Sequence, residues 1–525
     1  MNPFFLEIFR RIAFWFPILL FIYIKDDIDV YKVIGNIILA LFLIFASNIF
    51  TNNKVNRFVE IAGIVFFNVI MFVQIGHFYL FKDIIAASTF FIIFDTNISE
   101  AKDFLSMYID WGIMTIIILL TLVCSISIFL SVKNSYKEIK PKYSFAIIFF
   151  LFIVLLNNQI RGNTFPHIFY SAVKDYRYEK EMFNKVTENK LGGDFSNVMY
   201  NGKSNEEISV LIIGESTTRD HMQLYGYYRK TNPKLNKIKE DLLIYNDIIS
   251  PNTHTVPSLN KVLTLASHEF PSRKYDGSLI QLFNKGGFKT YWLSNQKPMG
   301  LYDTNVTIFS KNCDEQIFVN ATYYSLDERV LPPLKKILNQ KSAKKFIVIH
   351  LMGSHGEYEN RYPPTFQKFD SKPRTSFEVA RAFKLINTYD NSVLYNDFIV
   401  NEIIREVKAI NAKSYVLYLS DHGEEVYQTM ALKGHTETIG TKPMFDIPFI
   451  LWRSKKFKLE EEKFVYDTNR KYISEDLIYT LSDLSSLTWK EFDSTKSLVN
   501  KNFVSRKRIV SRKNIDYDAF FHHKK

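Results

Sequence analysis

Five apolar stretches before residue 160 constrain the fold of this chain more than any other feature. They cover approximately residues 12–24, 33–50, 58–81, 111–132 and 143–157. A helix needs about 20 apolar residues to cross the hydrocarbon core of a bilayer, and most of the stretches are long enough. The first and last are shorter, and a buried core helix is the alternative for each. We therefore predict an α-helical transmembrane anchor of about five helices over residues 1–160.

The charges of the loops predict how this anchor is oriented. Lysine and arginine favour the cytoplasmic side of a membrane. They precede the first stretch and follow the second and the fourth, as Arg10, Arg11, Lys54, Arg57, Lys133, Lys137, Lys140 and Lys142. The other two loops, 25–32 and 82–110, are mixed or acidic. We therefore expect a cytoplasmic N-terminus, and an odd number of spans puts everything after about residue 160 on the far side.

Two segments beside the anchor are less regular. In the loop 82–110, Asn97 or Ser99 is suited to cap a short helix, although contact with a lipid substrate is the alternative. Residues 161–207 are predicted to form an interfacial helix, around Ile168–Glu188, and a linker. The aromatic residues of this helix suit a membrane interface, and packing against a soluble domain explains them equally well.

From residue 208 onward, apolar strands alternate with helical stretches. The predicted strands cover 208–213, 289–294, 345–351, 414–420 and 447–452. The predicted helices cover 257–266, 279–286, 328–339, 377–408 and 473–485. Such alternation is typical of a mainly parallel sheet that is covered by helices on both faces. We therefore predict an α/β domain over residues 208–525.

Three of the predicted strands end in side chains that can bind a metal ion. Glu215 follows the first strand, Asp421 and His422 follow another, and His355 follows a third. In open α/β sheets, sites form beyond the carboxyl ends of the strands. Carboxylate and imidazole donors without thiolate suit Zn²⁺, and suit Mn²⁺ less well. The sequence therefore predicts a metal site that contains Glu215, Asp421 and His422.

A hydroxyl group is the candidate for a fourth ligand. Thr255 lies where a loop enters a helix, so it would meet the positive end of the helix dipole, and metal binding would favour loss of its proton. Each element also has an ordinary explanation. Thr255 could cap the helix, the Asp-His pair could form a polar turn, and single histidines such as His355 and His435 are usually surface residues. The combination favours the metal site.

Composition limits the disulfide content and the binding partners expected for this chain. It has 525 residues, a formal net charge of +12 and two cysteines, Cys124 and Cys313, which cannot form a disulfide framework. The positive charge, including a basic tail over residues 506–525, fits contact with an anionic membrane surface. The sequence contains no motif typical of nucleic-acid binding, so no nucleic-acid partner is expected.

Several motifs resemble those of bacterial inner-membrane phosphoethanolamine transferases, which belong to the sulfatase and alkaline phosphatase superfamily. In family order, these motifs are Gly214–Tyr227 with Arg229–Pro233, His350–Gly356 with Arg361–Pro363, Leu419–Glu424, and Gly434–Thr436 followed by Pro448. The anchor and the loop at Asp95–Ala101 fit the same family. With Cys313 alone in its soluble part, the chain looks closer to the disulfide-free branch that modifies core oligosaccharide than to the lipid A and colistin-resistance branch.

The resemblance implies an alkaline-phosphatase-like catalytic domain in the periplasm and a ping-pong reaction. Phosphoethanolamine would pass from phosphatidylethanolamine to a threonine, with release of diacylglycerol. From the covalent phospho-threonine it would pass to a lipopolysaccharide or lipooligosaccharide acceptor, at a core sugar or lipid A. The implied protein is a multi-pass monomer of the inner membrane, in contact with membrane lipids.

The resemblance also implies a role for each site residue. The implied zinc ligands are Glu215, Asp421, His422 and Thr255. Thr255 would also be the nucleophile, because Thr255–Ser258 keeps the family spacing, and Thr253 is the alternative. His355 and His435 would bind the phosphoryl group or a second metal ion, beside one tightly bound zinc ion.

Two other functions are compatible with parts of this pattern. A phosphoglycerol transferase of the same fold, acting on periplasmic glucans or glycolipids, is the alternative within enzymes. The non-enzymatic alternative is a membrane-anchored binding protein on a decayed sulfatase fold. That alternative predicts broken ligands, whereas Glu215, Thr255, Asp421 and His422 are all present.

Overall fold

The computed structural model of the chain describes residues 9–24, 30–81, 84–85, 89–90, 109–133, 141–187, 189–296, 309–320, 325–437, 440–511 and 514–522. The described residues up to Tyr178 form one compact unit, and those from Glu179 onward form a second. The predicted helix cap at Asn97 or Ser99 and the motif at Asp95–Ala101 lie outside the described residues.

The N-terminal part of the chain is helical. Its helices are Ile12–Ile24 (α1), Val30–Ala46 (α2), Asn53–Phe81 (α3), Trp111–Lys133 (α4), Pro141–Leu156 (α5), Asn158–Gly162 (α6) and Phe165–Thr187 (α7). Two segments, Asn53–Leu80 and Trp111–Lys133, are long and apolar enough to cross a bilayer, whereas α1, α2 and α5 are apolar but shorter. The five predicted stretches are therefore confirmed as helices, and the number of spans stays a prediction.

Polar side chains inside the first unit pair with its own helices. Arg10 Nε lies 3.2 Å from Glu60 Oε1. The Asn68 side chain donates a 3.0 Å hydrogen bond to the Ala13 carbonyl oxygen, and Ser127 Oγ accepts one of 3.1 Å from the Ala13 N–H. A polar group in apolar surroundings is costly unless it is hydrogen-bonded. These contacts therefore join α1 to α3 and α4.

A seven-stranded sheet organises the second unit. Its strands are Glu207–Gly214 (β1), Leu242–Ile244 (β2), Lys289–Ser294 (β3), Glu315–Phe318 (β4), Lys344–His350 (β5), Lys413–Ser420 (β6) and Phe449–Arg453 (β7). The strand order is β2-β7-β6-β1-β5-β3-β4, and only β7 runs against its neighbours. The mainly parallel sheet is confirmed. The edge strands β2 and β4 are absent from the predicted set because three or four residues are too few for a periodic signal.

Helices cover this sheet. They are Pro233–Lys237 (α8), Thr255–Val262 (α9), Leu279–Lys285 (α10), Leu331–Leu338 (α11), Ala380–Ala409 (α12), Lys442–Phe445 (α13), Lys455–Lys458 (α14), Leu477–Leu484 (α15) and Tyr517–His522 (α16). Two-stranded sheets pair Met199–Tyr200 with Leu487–Thr488, Ile248–Ile249 with Tyr472–Ile473, Glu425–Val426 with Lys433–Gly434, and Ile509–Val510 with Ile515–Asp516. All five predicted helices of this region have a counterpart.

Both faces of the large sheet are buried. Along β1, Val210 and Ile212 belong to the apolar cluster that includes α11 and α12. Leu211 and Ile213 belong to the opposite cluster, which includes α9, α10 and α15. Successive side chains of a strand point to opposite faces, so a strand that is covered on both faces must be apolar throughout. This explains the unbroken apolar run before Gly214.

The segment after α7 packs on the second unit. The Asn189 carbonyl oxygen accepts a 2.9 Å hydrogen bond from the Gln281 side chain, and Phe195 is buried in the cluster that contains α10. The division between the two units falls within α7, whereas the predicted boundaries are residues 160 and 207. The difference arises because much of the predicted linker has contacts of its own with the sheet domain.

The basic C-terminal tail is also part of the second unit. Arg508 is 1% exposed and donates hydrogen bonds of 2.6–2.9 Å to the carboxylates of Asp247 and Asp518. Arg506 donates to two further carboxylates at 2.7 and 2.8 Å. The charges of these two arginines are therefore paired within the protein, and contact of the tail with an anionic membrane stays a prediction.

Candidate metal centre

Glu215, the first candidate ligand, is held at the end of β1. Ser216 follows with a φ of 53°, and its Oγ donates a 2.8 Å hydrogen bond to Glu215 Oε1. The Glu215 residue is 1% exposed. The loop after β5 approaches so closely that a Cβ on Gly353 would lie 2.7 Å from the backbone nitrogen and oxygen of Glu215. Glycine is required there by space and by its φ of 53°.

Asp421 and His422 follow β6, the parallel neighbour of β1. The Asp421 N–H donates a 3.1 Å hydrogen bond to the Gly214 carbonyl oxygen, so the two strand ends bring Glu215 and Asp421 side by side. His422 Nδ1 donates a 2.8 Å hydrogen bond to the Gly423 carbonyl oxygen. Because that bond places the ring proton on Nδ1, Nε2 carries the lone pair that a metal ion needs.

Thr255 is the first residue of α9, and His254 occupies the N-cap position. Thr255 Oγ1 lies 3.2 Å from both carboxylate oxygens of Glu215 and 3.4 Å from His422 Nε2. Thr253 Oγ1 instead lies 3.2 Å from His254 Nδ1. The fold therefore brings Thr255, rather than Thr253, to the candidate ligands.

The spacing of these four side chains fits a zinc ion. Ligands about 2.0 Å from zinc at the corners of a tetrahedron lie about 3.3 Å from one another. His422 Nε2 lies 3.4 Å from both Glu215 Oε1 and Asp421 Oδ2. The separations to Thr255 Oγ1 are 3.2 and 3.4 Å. Asp421 Oδ2 is buried with no hydrogen-bond partner among the described residues, a costly state that a bound cation would relieve.

The electrostatics of the cluster also favour a cation. Burial, and then the charge of Glu215, raise the pKa of Asp421 to about 7. Burial opposes ionisation of Glu215 as well, but the hydrogen bond with His422 and nearby histidines hold the pKa of Glu215 well below its usual range. Burial alone would lower the pKa of His422, whereas Asp421 and Glu215 raise it to about 10. The raised pKa means that a proton on His422 offsets the charge of the two carboxylates. A bound divalent cation would replace that proton.

His355 lies in the loop after β5. The Ser354 N–H donates a 2.9 Å hydrogen bond to the Glu215 carbonyl oxygen, which fixes this loop beside the site. His355 Nδ1 is buried without a hydrogen-bond partner in the described part of the chain, and the charge of His355 helps to lower the pKa of Glu215. Neither group of candidate metal ligands found among the described residues includes His355.

His435 belongs to a second group of candidate ligands. Its ring centroid lies 4.2 Å from that of His422, and its Nδ1 donates a 2.7 Å hydrogen bond to Glu424 Oε2. The Tyr358 hydroxyl donates a 2.6 Å hydrogen bond to the other oxygen of Glu424. Ligand atoms of His422, Glu424 and His435 lie within 4.8 Å of one another.

Three residues in or next to the site have no role in the sequence prediction: Gln296, Glu424 and Glu437. Gln296 Nε2 donates a 3.2 Å hydrogen bond to Glu215 Oε2. Gln296 follows the carboxyl end of β3, where sites form in parallel sheets, so the same rule that predicted Glu215 could have identified it. Glu424 lies within a recognised motif. Glu437 accepts a 2.9 Å hydrogen bond from the Thr253 N–H, a contact between distant loops that the sequence does not indicate.

The motif residues that follow Glu215 form a separate structural cluster around Asp390 of α12. Asp390 Oδ1 accepts a 2.6 Å hydrogen bond from His221 Nδ1. Asp390 Oδ2 accepts bonds of 2.9 Å from the Tyr227 hydroxyl and 2.7 Å from Arg229 Nη1. Each oxygen of this buried carboxylate has a partner. The cluster therefore attaches the segment after β1 to α12.

Comparisons with known proteins show which proteins this chain resembles. Residues 208–487 match the sulfatase family model. The chain is 33% identical over 473 residues to the phosphoethanolamine transferase EptC of Escherichia coli (strain K12), which covers 82% of this chain and 81% of that protein. It is 32% identical over 486 residues to the phosphoethanolamine transferase CptA of Salmonella typhimurium, which covers 85% of this chain and 84% of that protein.

Two solved structures are similar to parts of the fold. The C-terminal periplasmic domain of EptC from Escherichia coli, in complex with Zn, matches with a TM-score of 0.60 and 36% identity over 62% of this chain and 97% of that domain. The integral membrane protein lipooligosaccharide phosphoethanolamine transferase A from Neisseria meningitidis matches with a TM-score of 0.66 and 20% identity. That match covers 94% of this chain and 97% of the other, and it shows a shared fold.

Proposed function

The chain belongs to the sulfatase family and, within it, to the phosphoethanolamine transferases, and we propose that it moves phosphoethanolamine from phosphatidylethanolamine to an envelope glycolipid through Thr255. One observation carries the proposal. The Thr255 hydroxyl lies 3.2–3.4 Å from Glu215 and His422, in a buried group with the spacing of zinc ligands. A threonine in that position is suited to act as a nucleophile.

In the first half-reaction, Thr255 Oγ1 attacks the phosphorus of the donor. The bond from phosphorus to the glycerol oxygen breaks, diacylglycerol takes up a proton as it leaves, and the hydroxyl of Thr255 loses one. In the second half-reaction, an acceptor hydroxyl loses its proton as it attacks the same phosphorus, the bond to Thr255 Oγ1 breaks, and Thr255 Oγ1 takes up a proton. His355 and His435 would bind the phosphoryl oxygens and serve as proton donors to the leaving oxygens.

The proposed metal is zinc, held tightly by Glu215, Asp421, His422 and Thr255, and Mn²⁺ is the second choice. When bound, such an ion lowers the pKa of a coordinated hydroxyl and stabilises charge on the phosphoryl group. Support comes from the spacing of the ligands and from the zinc complex of the related domain. His435 would bind a second ion only as the alternative to binding the phosphoryl group, with Glu424 beside it, because Nε2 of His422 can hold a single ion.

The proposed acceptor is a lipopolysaccharide or lipooligosaccharide, modified at a core sugar or at lipid A. Both cysteines are free thiols, and Cys313 is buried. This supports the disulfide-free, core-oligosaccharide branch. Phosphoglycerol transfer to periplasmic glucans or glycolipids remains the alternative reaction, because the site binds a phosphoryl group without identifying what is attached to it.

The proposed setting is the bacterial inner membrane. The N-terminus would be cytoplasmic, five spans over residues 1–160 would follow, and a catalytic domain over 208–525 would act in the periplasm as a monomer. The loop charges support this orientation. Periplasmic reporter fusions after residues 24, 81 and 162 are expected to be active, and fusions after residues 48 and 137 inactive. The reverse pattern would refute the orientation.

Mass spectrometry of envelope glycolipids tests the reaction. Cells that carry the native protein are expected to show a phosphoethanolamine increment that is absent with Thr255→Ala, and the modified position identifies the acceptor. An increment that persists with Thr255→Ala would refute the nucleophile and make Thr253 the next candidate. A phosphoglycerol increment, or none on any glycolipid, would refute phosphoethanolamine transfer.

A further inference from the structure

A cavity of about 410 Å³ lies beside α12, and none of its lining residues is a candidate metal ligand. Its walls include the aromatic rings of Phe366, Phe369 and Phe398, together with Leu394. Aromatic faces of this kind pack against the C–H face of a sugar ring as readily as against an acyl chain. The walls therefore favour a ligand that presents an apolar face.

The rim of this cavity is basic. Lys230, Lys234 and Lys368 line it, and each of these residues is exposed. The described lining includes a single carboxylate, that of Asp397. Both oxygens of Asp397 accept 2.9 Å hydrogen bonds from the backbone N–H groups of Lys234 and Leu235 at the start of α8. Its charge is thus occupied by the backbone. The Lys234 ammonium lies 5.3 Å from the centroid of the Phe398 ring, against the aromatic wall, and no other carboxylate of the described lining offsets the lysine charges, which would attract an anion.

We propose that this cavity binds a phosphorylated sugar of the acceptor glycan. Aromatic walls suit the ring of the sugar, and lysines at the rim suit its phosphate groups, so the two halves of the cavity match the two halves of one ligand. The inference rests on the proposed function, which supplies a glycan acceptor, and it adds an acceptor-binding site outside the metal centre.

The cavity and the metal centre are held by the same turn of α12. Asn391 Oδ1 accepts hydrogen bonds of 2.9 and 2.8 Å from the backbone N–H groups of Lys368 and Phe369, which fixes the wall of the cavity. The next residue, Ser392, donates a 2.9 Å hydrogen bond to Ser354 Oγ in the loop that carries His355. One turn of α12 therefore supports both the wall of the cavity and the loop that carries His355.

The test uses the full-length, zinc-loaded protein in detergent and a soluble probe. The probe is lipooligosaccharide from which all acyl chains have been removed, either with its phosphate groups or after dephosphorylation. The native protein is expected to bind the phosphorylated probe about tenfold more tightly than the dephosphorylated one. Lys234→Ala with Lys368→Ala is expected to remove this difference. Lys455→Ala with Lys456→Ala, two exposed lysines of α14, is the charge-matched control and should change binding by less than about twofold.

Kinetics of the same variants separate this site from the catalytic centre. Loss of Lys234 and Lys368 is expected to raise the KM for the acceptor about tenfold, with kcat and the release of diacylglycerol from phosphatidylethanolamine unchanged. Phe366→Ala should weaken binding of both the phosphorylated and the dephosphorylated probe, since it removes part of the aromatic wall. These results would support the site.

Other results would overturn it. The proposal is refuted if the Lys234 and Lys368 variant binds the phosphorylated probe as tightly as the native protein. It is also refuted if the control variant loses as much affinity. Lysine-dependent binding to phosphatidylglycerol vesicles without binding of the probe would assign the surface to the membrane instead. Normal release of diacylglycerol with no binding of the probe would refute this inference and leave the proposed function standing. Binding of the probe without any covalent phospho-threonine would refute the proposed function and leave the glycan site standing.

Discussion

Two buried polar clusters follow the same strand, and they differ in how completely their atoms are paired. Around Asp390, each carboxylate oxygen accepts a hydrogen bond from His221 or from Tyr227 and Arg229. In the metal centre, Asp421 Oδ2 has no hydrogen-bond partner in the described chain, and His422 Nε2 lies 3.4 Å from it. Because a buried oxygen without a hydrogen bond is costly, this oxygen is suited to bind a cation. One recognised motif thus contains a structural cluster and a binding site, and the pairing distinguishes them.

The largest expected effect belongs to Thr255, the proposed nucleophile. With purified protein and phosphatidylethanolamine, Thr255→Ala is expected to lower the release of diacylglycerol by at least about 1,000-fold, because no oxygen remains to attack the phosphorus. Intact-protein mass spectrometry should show a phosphoethanolamine adduct on the native chain alone. Thr253→Ala is the matched control and should retain most activity. An adduct that survives Thr255→Ala but not Thr253→Ala would reverse the assignment.

The structural cluster should affect stability rather than metal content. Asp390→Asn leaves the buried Arg229 without its counter-charge and changes the acceptor of the His221 hydrogen bond, so we expect a loss of about 3–5 kcal/mol in the free energy of unfolding. Denaturant unfolding of the full-length protein measures this loss, and zinc per folded molecule should stay unchanged. Asp370→Asn, at an exposed aspartate, is the control. Loss of zinc without loss of stability would mean that the two clusters are not separate.

Removal of zinc should lower the thermal stability of the native protein but not that of a variant that lacks a zinc ligand. At a zinc concentration 100 times the dissociation constant, binding adds about 2.7 kcal/mol to the free energy of unfolding. A chelator is therefore expected to lower the Tm of the native protein by about 5 °C. The Asp421→Asn variant should start lower and respond little to the chelator. An equal response in both proteins would show that zinc is held elsewhere.

The smallest expected effect belongs to Gln296, which contacts a ligand rather than the metal. Gln296→Ala removes the 3.2 Å hydrogen bond to Glu215 Oε2. It should weaken zinc binding about tenfold, at the lower end of the roughly 10–100-fold losses seen when a residue that supports a metal ligand is replaced. Competition with a zinc-binding dye measures the change. Gln340→Ala, at a glutamine that bonds to Glu315 instead, is the control. An unchanged dissociation constant would remove Gln296 from the support of the site.

Much of the fold follows directly from local patterns. Strands buried on both faces are apolar throughout, so β1, β5 and β6 are visible as unbroken runs, and parallel neighbours place the residues after them at one edge. Glu215, Asp421 and His422 could therefore be predicted together. The edge strands β2 and β4 are too short to leave such a signal. Arg506 and Arg508 show the same limit, because a count of charges does not reveal which of them are paired.

The sequence by itself determined the helical anchor, the mainly parallel sheet and the residue types at the strand ends, since these depend on periodicity and on neighbours in the chain. Only the tertiary structure brought Thr255 rather than Thr253 next to Glu215 and His422, gave Glu424 and Glu437 their partners, and formed the cavity beside α12. Each of these depends on distances between segments far apart in the chain. A hydrogen bond or a metal site is lost when its atoms move by a few tenths of an ångström. Packing of the whole domain sets these distances, and no local sequence pattern encodes them.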